Sequence, residues 1–214
     1  RCVLAYRDFL VREALPLPPA AEPKVIKHWR KRLHGPGLLD EASAGQLLRD
    51  FGIPMVVAST FDGPDLPGEV ISEIRFPVVL KTAAPGISHK SDVGGVILDI
   101  EDEPALVRAC RELTWRLGPK LLLAPMENAE GVEMILGIAR DDQFGPTVVL
   151  GFGGVYAEVL RDTVVLLPPF GAAEARRALS GLKMYGLLGA LRGRQALAVD
   201  MFCEVASRLS MLAV

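Results

Sequence analysis

The hydrophobic positions of the chain recur at helical spacing in several segments, each with a recognisable start or stop. Asp40 is a typical helix-capping residue, and the apolar positions after it run to Gly52, a common helix C-terminus. Steps of three and four residues between apolar positions predict further helices over residues 69–74, 104–117, 175–182 and 198–212. The last helix is expected to bury Ala198, Phe202, Val205, Leu209 and Leu212.

Short apolar runs between turn residues predict strands. They cover residues 53–58, 76–81, 95–100, 121–126, 131–139, 147–151, 155–160 and 163–167. Turn residues at 141–146 and 161–162 separate the later runs, so we expect antiparallel strands in the second half of the chain. Mixed helices and strands with this pairing predict an α+β fold (mixed α/β) rather than a strict doubly wound sheet.

Residues 1–37 do not share this regular pattern. Residues 15–23 are rich in proline, which is typical of an extended linker. Basic residues then surround Trp29, and they are Lys24, Lys27, Arg30, Lys31 and Arg32. They fit either a contact with an acidic partner or nucleic acid, or a solvated segment between domains. The second interpretation is favoured because one short basic run is a weak signal.

Composition narrows the class of protein. The chain has 214 residues, of which 50% are hydrophobic, enough for one large domain or two small lobes. A net charge of −2 gives no basic field for nucleic acid, and no apolar run is long enough to span a membrane. The absence of a signal peptide predicts a cytoplasmic protein. Because the chain starts at Arg1 rather than Met, we expect a piece of a longer polypeptide.

The cysteines do not indicate a metal site. Cys2, Cys110 and Cys203 are far apart and lack the spacing of zinc ligands. An odd number without a disulfide framework fits a reducing compartment. Cys110 and Cys203 fall at apolar helical positions, so we expect them to fill the core.

The most informative segment runs from Pro77 to Gly95. It predicts a buried strand that ends at Lys81, followed by a glycine- and proline-containing loop that carries His89. Because an ammonium is costly to desolvate, Lys81 needs a partner, which could be a phosphate or an acidic side chain. A neutral imidazole on such a loop can accept a phosphoryl group, although a lone histidine is more often structural or solvated.

Carboxylates and glycines in the second half form another group of candidates. Glu133 lies in a predicted strand, and Glu158 and Asp162 follow the glycine-rich residues 151–154. Carboxylates that face one cleft can hold Mg²⁺ or a ribose, although water-facing strand positions are more common. The glycine stretch matches neither a P-loop nor a GxGxxG turn, so a nucleotide would bind here in another way.

Together these segments resemble the ATP-grasp domain of the NDP-forming acyl-CoA synthetases, the family of ADP-forming acetate–CoA ligase, which is related to succinyl-CoA synthetase. The most specific motif is Ser88-His89-Lys90-Ser91-Asp92-Val93-Gly94-Gly95. Weaker motifs follow in family order at residues 41–54, 131–133, 142–146 and 151–162. The resemblance implies an ATP-grasp fold in which two α+β lobes, about 38–125 and 126–214, clasp a nucleotide. Residues 1–37 would be the linker or tail of a preceding CoA-ligase region.

The resemblance also implies an activity: acyl-CoA + phosphate + ADP ⇌ carboxylic acid + CoA + ATP, with ATP or ADP and Mg²⁺ as cofactors. His89 would be the phosphohistidine that exchanges phosphate with the nucleotide. The implied nucleotide-binding residues are Lys81, Met126, Glu127, Glu133, Gly153 and Gly154, with Glu158 near phosphates and metal. The implied partner is a CoA-ligase domain or subunit of the same enzyme, which would bind the acyl-CoA or carboxylic acid. The full-length protein would be an oligomer with no nucleic-acid or membrane partner.

Departures from the family pattern bear on this expectation. Ala124-Pro125 stand where the family usually has glutamine ahead of the adenine hinge, and Leu166 stands where it usually has arginine. The chain also stops at Val214, before the acidic Asp-x-Asn-Pro-like strand that helps the family bind Mg²⁺. We therefore expect an incomplete metal site and no overall activity for the isolated fragment.

Two alternatives compete with this interpretation. A degenerate copy of the same domain can serve as a non-catalytic nucleotide- or acyl-CoA-sensing domain of a protein acetyltransferase. Such copies commonly lose the loop histidine, so the presence of His89 favours catalysis. A carboxylate–amine ligase that uses an acyl phosphate needs no loop histidine and is favoured least.

Overall fold

The computed structural model describes residues 16–35, 37, 39–87, 89–127, 131–154, 161–189 and 197–214. They fall into two compact units: the first takes the described residues of 23–129, and the second those of 130–214 with residues 16–22. Each unit contains one antiparallel sheet, so the expected α+β class is confirmed. The proposed boundaries at residues 38 and 125 stay predictions. None of the helices in the described ranges has the length and apolar character needed to cross a bilayer.

The first unit packs a four-stranded sheet against helices. Its sheet has the order β1-β4-β2-β3, and every neighbouring pair is antiparallel. Leu106, Cys110 and Leu113 of helix α4 are buried against one face of this sheet. In chain order the elements are α1 (Pro23–Leu33), α2 (Glu41–Asp50), β1 (Ser59–Asp62), α3 (Gly68–Glu73), β2 (Val78–Thr82), β3 (Val96–Ile100), α4 (Glu103–Leu117) and β4 (Lys120–Pro125).

Helix α2 begins and ends as its sequence predicts. The side chain of Asp40 accepts a hydrogen bond from the backbone N–H of Ser43 at 2.9 Å, which satisfies one free donor of the first turn. At the other end Gly52 has φ +74°, a left-handed conformation that favours glycine. The N–H of Ile53 then donates to the carbonyl of Leu48 at 2.9 Å and closes the helix.

Helix α1 refines the interpretation of the basic segment: its basic residues are exposed, as a solvated segment requires, but Trp29 is buried. Trp29 is only 3% exposed, and its Nε1 donates to Asp50 Oδ2 at 2.7 Å. Arg32 donates to Ser43 Oγ at 2.8 Å, so α1 contacts α2 near both of its ends. The buried indole packs this helix on the unit. Residues 1–37 were predicted as a linker or tail, and of these, residues 1–15 and 36 lie outside the described residues.

The first predicted strand is in the wrong place. Residues 53–58 form no strand, and β1 covers Ser59–Asp62, which we predicted as a loop. The reason is the pairing with β4, in which Phe61 lies opposite Leu121 and its ring is buried. Local hydrophobicity favours Met55–Val57, yet those side chains are exposed. Long-range pairing thus overrides the apolar run.

The second unit contains a three-stranded sheet, β5-β6-β7, followed by helices. Strand β5 starts at Met134, so Glu133 precedes the strand instead of lying within it. Strand β7 pairs with β6, with Gly151 opposite Thr163, and the predicted strand at residues 155–160 lies outside the described residues. The elements are β5 (Met134–Asp141), β6 (Gly145–Phe152), β7 (Thr163–Leu166), α5 (Ala172–Ser180), a 3₁₀ turn (Tyr185–Leu188) and α6 (Val199–Leu212).

Helix α6 buries a different face from the one predicted. Leu209 is buried as expected, but the other fully buried positions include Ser207 and Ser210, which we had placed outside. Both hydroxyls donate to the carbonyl oxygen of Phe170 at 3.1 Å, and the Phe170 N–H donates back to Ser210 Oγ. Serines can be buried here because they satisfy the backbone of the preceding loop. Cys110 and Cys203 are buried free thiols, as predicted, and burial raises the pKa of Cys110 to about 11.

Candidate functional site

The strand-end lysine has an acidic partner. Lys81 lies in β2 with its side chain 29% exposed, and its Nζ donates to Glu41 Oε1 at 2.8 Å. Glu41 is the first residue of helix α2 and follows the Asp40 cap directly. A carboxylate near a helix N-terminus is favoured by the helix dipole, so the cap and the ion pair support the same placement.

The same carboxylate also binds the lysine next to His89. Lys90 Nζ donates to Glu41 Oε2, and the Lys90 side chain is 19% exposed. We call Lys81, Glu41 and Lys90 the lysine–glutamate triad. Partial burial raises the pKa of Glu41, but the hydrogen bonds and charges of the two lysines outweigh it and leave that pKa below its usual value. The triad carries two positive charges and one negative charge, so it keeps a net charge of +1.

The segment that carries His89 is closed at its base by backbone hydrogen bonds. We call the described residues of 83–95 the histidine loop. The Thr82 N–H donates to the Gly95 carbonyl at 2.8 Å, and the Gly95 N–H donates to the Lys90 carbonyl at 2.7 Å. His89 itself is exposed. The base of the loop is thus fixed to the sheet, while its histidine faces solvent.

A basic side chain from helix α4 holds the end of the histidine loop that follows His89. Arg116 of helix α4 donates to the carbonyls of Val93 at 3.0 Å and Gly94 at 3.4 Å. A Cβ added at Gly95 would lie 2.7 Å from Thr82 Cγ2 and 3.0 Å from the Lys90 carbonyl oxygen, too close for a larger residue. The Gly94-Gly95 pair of the sequence motif therefore permits close backbone contact at the loop base.

An open cavity of about 1120 Å³ borders the triad and the loop. Its lining includes Glu41 and Lys90 together with one side of the histidine loop. The cavity residues come from the start of α2, from β1, from the loop and from the start of β4, at positions 39–43, 60–62, 83–87, 90 and 120–122. Room for a small molecule thus exists beside Glu41 and Lys90 in the first unit, whereas Lys81 reaches this place only through its ion pair with Glu41.

The predicted adenine hinge lies on the same side of the sheet as Lys81. The Met126 N–H donates to the Pro77 carbonyl at 2.9 Å, which continues the β2–β4 pairing. Met126 packs against Val79 and Leu122. Lys81 is two residues after Val79 in β2, so both side chains lie on the same face of the sheet. Glu127 follows and is exposed. The structure therefore brings Lys81 and Met126 to one face of the sheet, although neither is among the residues that line the cavity.

In the second unit, three predicted residues come together at a tight turn. The Gly153 N–H donates to the Glu133 carbonyl at 2.7 Å. Gly154 has φ +54°, and a Cβ at this position would overlap the Glu133 carboxylate. We call Glu133, Gly153 and Gly154 the glycine turn. Only glycine lets the backbone approach this carboxylate so closely.

Two acidic candidates have other outcomes. Asp162 is 5% exposed, and its carboxylate accepts hydrogen bonds from the backbone N–H groups of Lys183 at 3.1 Å and Met184 at 2.8 Å. Its role in the structure is to hold that turn. Glu158 lies outside the described residues. Within the described part of the chain, no three His, Cys, Asp or Glu side chains come together as a metal site.

The sequence did not reveal the partners of the two lysines. Glu41 and Arg116 were assigned no function, and Lys90 was noted only as part of a motif. Glu41 is 40 residues from Lys81 and 49 from Lys90, so only the fold brings them together. The one local signal was position, since Glu41 follows a helix cap and Lys90 follows His89.

Comparisons with known proteins agree with this arrangement. A family described as an ATP-grasp domain matches residues 31–214. An ADP-forming acetate–CoA ligase I of Archaeoglobus fulgidus is 32% identical over 191 residues, which cover 86% of this chain and 28% of that protein. The beta subunit of an ADP-forming acetate–CoA ligase I of Pyrococcus furiosus is 29% identical, with 82% of this chain and 79% of the subunit covered. The chain thus spans little more than a quarter of the first relative.

Solved structures of the dinucleotide-forming acetyl-coenzyme A synthetase 1 of Ca. Korarchaeum cryptofilum are also similar. The complex with coenzyme A, Ca-AMPCP and HgCl⁺ has a TM-score of 0.78 at 29% identity, covering 88% of this chain and 85% of that one. The complex with coenzyme A and Mg-AMPPCP has a TM-score of 0.72 at 30% identity, covering 90% and 85%. In the latter, the phosphohistidine segment is described as pointing towards the nucleotide binding site. The expected ATP-grasp fold is confirmed.

Proposed function

We propose, since the chain belongs to the ATP-grasp domain family, that it exchanges a phosphoryl group between ATP or ADP and His89. This would be the nucleotide half of an ADP-forming acid–CoA ligase reaction, acyl-CoA + phosphate + ADP ⇌ carboxylic acid + CoA + ATP. The named relatives are CoA ligases, and none of these findings supports the non-catalytic alternative.

One observation carries this proposal: a single carboxylate joins the lysine near the end of β2 to the lysine that directly follows the loop histidine. Lys81 and Lys90 both bind Glu41, and Lys90 directly follows the exposed His89. The ammonium of Lys90 lines the open cavity and that of Lys81 is paired with the same Glu41, so the two together provide favourable electrostatics for phosphate oxygens. An exposed imidazole next to them is in the right chemical surroundings to receive a phosphoryl group.

In the proposed step, a neutral imidazole nitrogen of His89 forms a bond to the γ-phosphorus of ATP. The bond between that phosphorus and the β–γ bridging oxygen breaks, and ADP leaves with the electron pair. The imidazole then loses its remaining N–H proton to water or stays cationic until hydrolysis or onward transfer. Lys81 would stabilise the phosphate oxygens on which negative charge resides, because an ammonium favours the charged leaving group. The reverse sequence would form ATP.

The remaining site residues are proposed contacts for the nucleotide. Met126 and Glu127 would hold the base at the end of β4, and the glycine turn would approach its ribose or phosphates. Mg²⁺, where bound, would neutralise charge on those phosphates. Glu133 offers a carboxylate oxygen of the kind that Mg²⁺ prefers, and we propose Glu158 as a further ligand.

The complete reaction would need a partner. We propose that a CoA-ligase domain or subunit of the same enzyme binds the acyl-CoA and the acid, within an oligomer in the cytoplasm. A relative of this chain is itself a beta subunit, which supports a divided enzyme. The acyl group would be chosen by that partner, so we assign no particular acid to this chain.

The test is phosphorylation of the full-length protein that contains this sequence. With Mg²⁺ and γ-labelled ATP, we expect a label that is stable in alkali and labile in acid, as phosphohistidine is. His89→Asn should abolish it, whereas His34→Asn, which changes another exposed histidine, should not. Calorimetry on the same variants separates loss of transfer from loss of nucleotide binding. A label that persists in His89→Asn would refute the proposal.

A further inference from the structure

The acidic member of the triad has no assigned function, although it touches both lysines. Glu41 accepts from Lys81 at the end of β2 and from Lys90 in the histidine loop. Lys90 is 19% exposed, Lys81 29% and Glu41 41%, so both ion pairs are partly exposed. We propose that Glu41 is a positioning residue, which holds the histidine loop against the end of β2 so that His89 stays near the phosphate-binding lysine.

The start of α2 makes Glu41 a firm point of attachment. The Asp40 carboxylate accepts from the Ser43 N–H at 2.9 Å and from the Ser43 hydroxyl at 2.7 Å. Arg32 of α1 binds the same hydroxyl at 2.8 Å. The backbone around Glu41 is therefore fixed on two sides, and its side chain has a defined origin from which to reach the lysines.

Two kinds of contact hold the histidine loop: backbone hydrogen bonds at its base, and side chains that reach it from α4 and α2. Arg116 holds the backbone carbonyls of Val93 and Gly94, after the histidine, and the Gly95 hydrogen bonds close the base. Among the described residues, the Glu41–Lys90 pair is the side-chain contact nearest to His89, because Lys90 directly follows the histidine. Loss of Glu41 should thus release Lys90 and weaken the hydrogen bond between its carbonyl and the Gly95 N–H, while Arg116 still holds the backbone after the histidine.

Glu41 should act on transfer more than on nucleotide affinity. Its carboxylate forms an ion pair with the ammonium of Lys81, the group that the proposed function assigns to the binding of nucleotide phosphates. Replacing it with a neutral side chain frees that ammonium while it loosens the loop. The rate of phosphoryl transfer and the KM for ATP should therefore move differently, which a general loss of folding would not produce.

The first experiment is hydrogen exchange on the full-length protein. In Glu41→Gln we expect the amides of Gly94 and Gly95, which donate to the Ser91 and Lys90 carbonyls, to exchange ~2–5 times faster. The factor is small because partly exposed ion pairs contribute little individually. Lys90→Met should have the same effect, and adding Glu41→Gln to it should change little more. Glu174→Gln, which removes a carboxylate that binds Arg177 in the second unit, serves as the matched control. Unchanged exchange in Glu41→Gln, or independent effects of the two variants, would overturn the proposal.

The second experiment measures labelling of His89 from ATP in the same proteins. This part rests on the proposed function. We expect Glu41→Gln to lower the rate about tenfold because the histidine is less well positioned, with the KM for ATP unchanged or lower. Glu41→Asp, which keeps the charge, should recover part of the rate. A rise in KM with an unchanged rate would contradict positioning. If the unchanged protein takes no label, the proposed function fails, while the exchange experiment still decides whether Glu41 holds the loop.

Discussion

The histidine loop and the glycine turn are both candidate phosphate- or nucleotide-contacting regions, yet they are held in opposite ways. The tip of the loop is held by long side chains, with Lys90 reaching Glu41 across 49 residues of sequence. The glycine turn is held by its backbone, through the Gly153 hydrogen bond to Glu133 and the missing side chain at Gly154. Ion pairs exchange partners easily, whereas close backbone packing does not. Ion pairs suit the histidine loop if it carries a phosphoryl group, whereas close backbone packing suits the glycine turn as a fixed contact.

The largest effect should come from filling the glycine turn. Gly154→Ala places an L side chain at a φ of +54°, which is strained, and its methyl group also makes the Glu133 carboxylate turn away. We expect a loss of about 1–3 kcal/mol in the free energy of unfolding. Urea denaturation measures it, with Gly137→Ala as the control because a Cβ there meets open space. Equal stability of the two variants would show that the turn is not rigid.

A smaller but similar effect should appear at the base of the histidine loop. Gly95→Ala brings a methyl group within 2.7 Å of Thr82 Cγ2, although φ at this glycine is not left-handed. We expect a loss of about 1–2 kcal/mol, measured by thermal denaturation. Gly68→Ala, in open space on the same unit, is the comparison. If Gly95→Ala leaves the stability unchanged, the backbone at the base of the histidine loop can adapt as easily as the ion-paired side chains.

Salt should separate the two regions. At ionic strengths of about 1 M the screening length falls to roughly 3 Å, which weakens partly exposed ion pairs. We expect the amides of Gly94 and Gly95 to exchange about twofold faster in high salt, while that of Gly153, which donates to the Glu133 carbonyl, keeps its rate. Hydrogen exchange followed by mass spectrometry reads both regions in one sample. Parallel acceleration of both would remove the distinction between them.

Acid should produce the smallest change near neutrality. The two lysines hold the pKa of Glu41 below its usual 4.5 despite the opposing effect of burial, and the Ser43 N–H lowers that of Asp40. A depressed folded pKa gives stabilisation that is full above the unfolded pKa and is lost as pH falls through the folded pKa. Loop exchange, corrected for the intrinsic amide rate, should be constant from about pH 8 to 6 and rise only below about pH 4. Glu41→Gln should lack this transition, and a transition near pH 6 would point to a different group.

Local signals predicted the elements that depend on local chemistry. The Asp40 cap, the Gly52 stop, the buried strand that ends near Lys81 and the buried face of α4 follow from spacing and turn residues. Those signals did not place β1, because only pairing with β4 makes Ser59–Asp62 a strand. They also predicted the wrong buried face for α6, where two serine hydroxyls are buried because they donate to the Phe170 carbonyl.

Sequence motifs named the candidate site residues, which stay predictions, but gave no indication of their partners. His89, Lys81 and the glycines were recognisable from their motifs. The contacts of Glu41 with two lysines, and of Glu133 with Gly154, join positions that are 40, 49 and 21 residues apart. No local pattern encodes such distances. Their assignment required the sheet and the cap to place the backbone first.

The buried indole of Trp29 has a practical consequence for anyone who shortens this protein. The family match begins at residue 31, inside helix α1, and leaves out the tryptophan that binds Asp50. A protein cut at that point would begin with a broken helix and expose the apolar side of α2. The smallest fragment worth expressing therefore starts before Pro23.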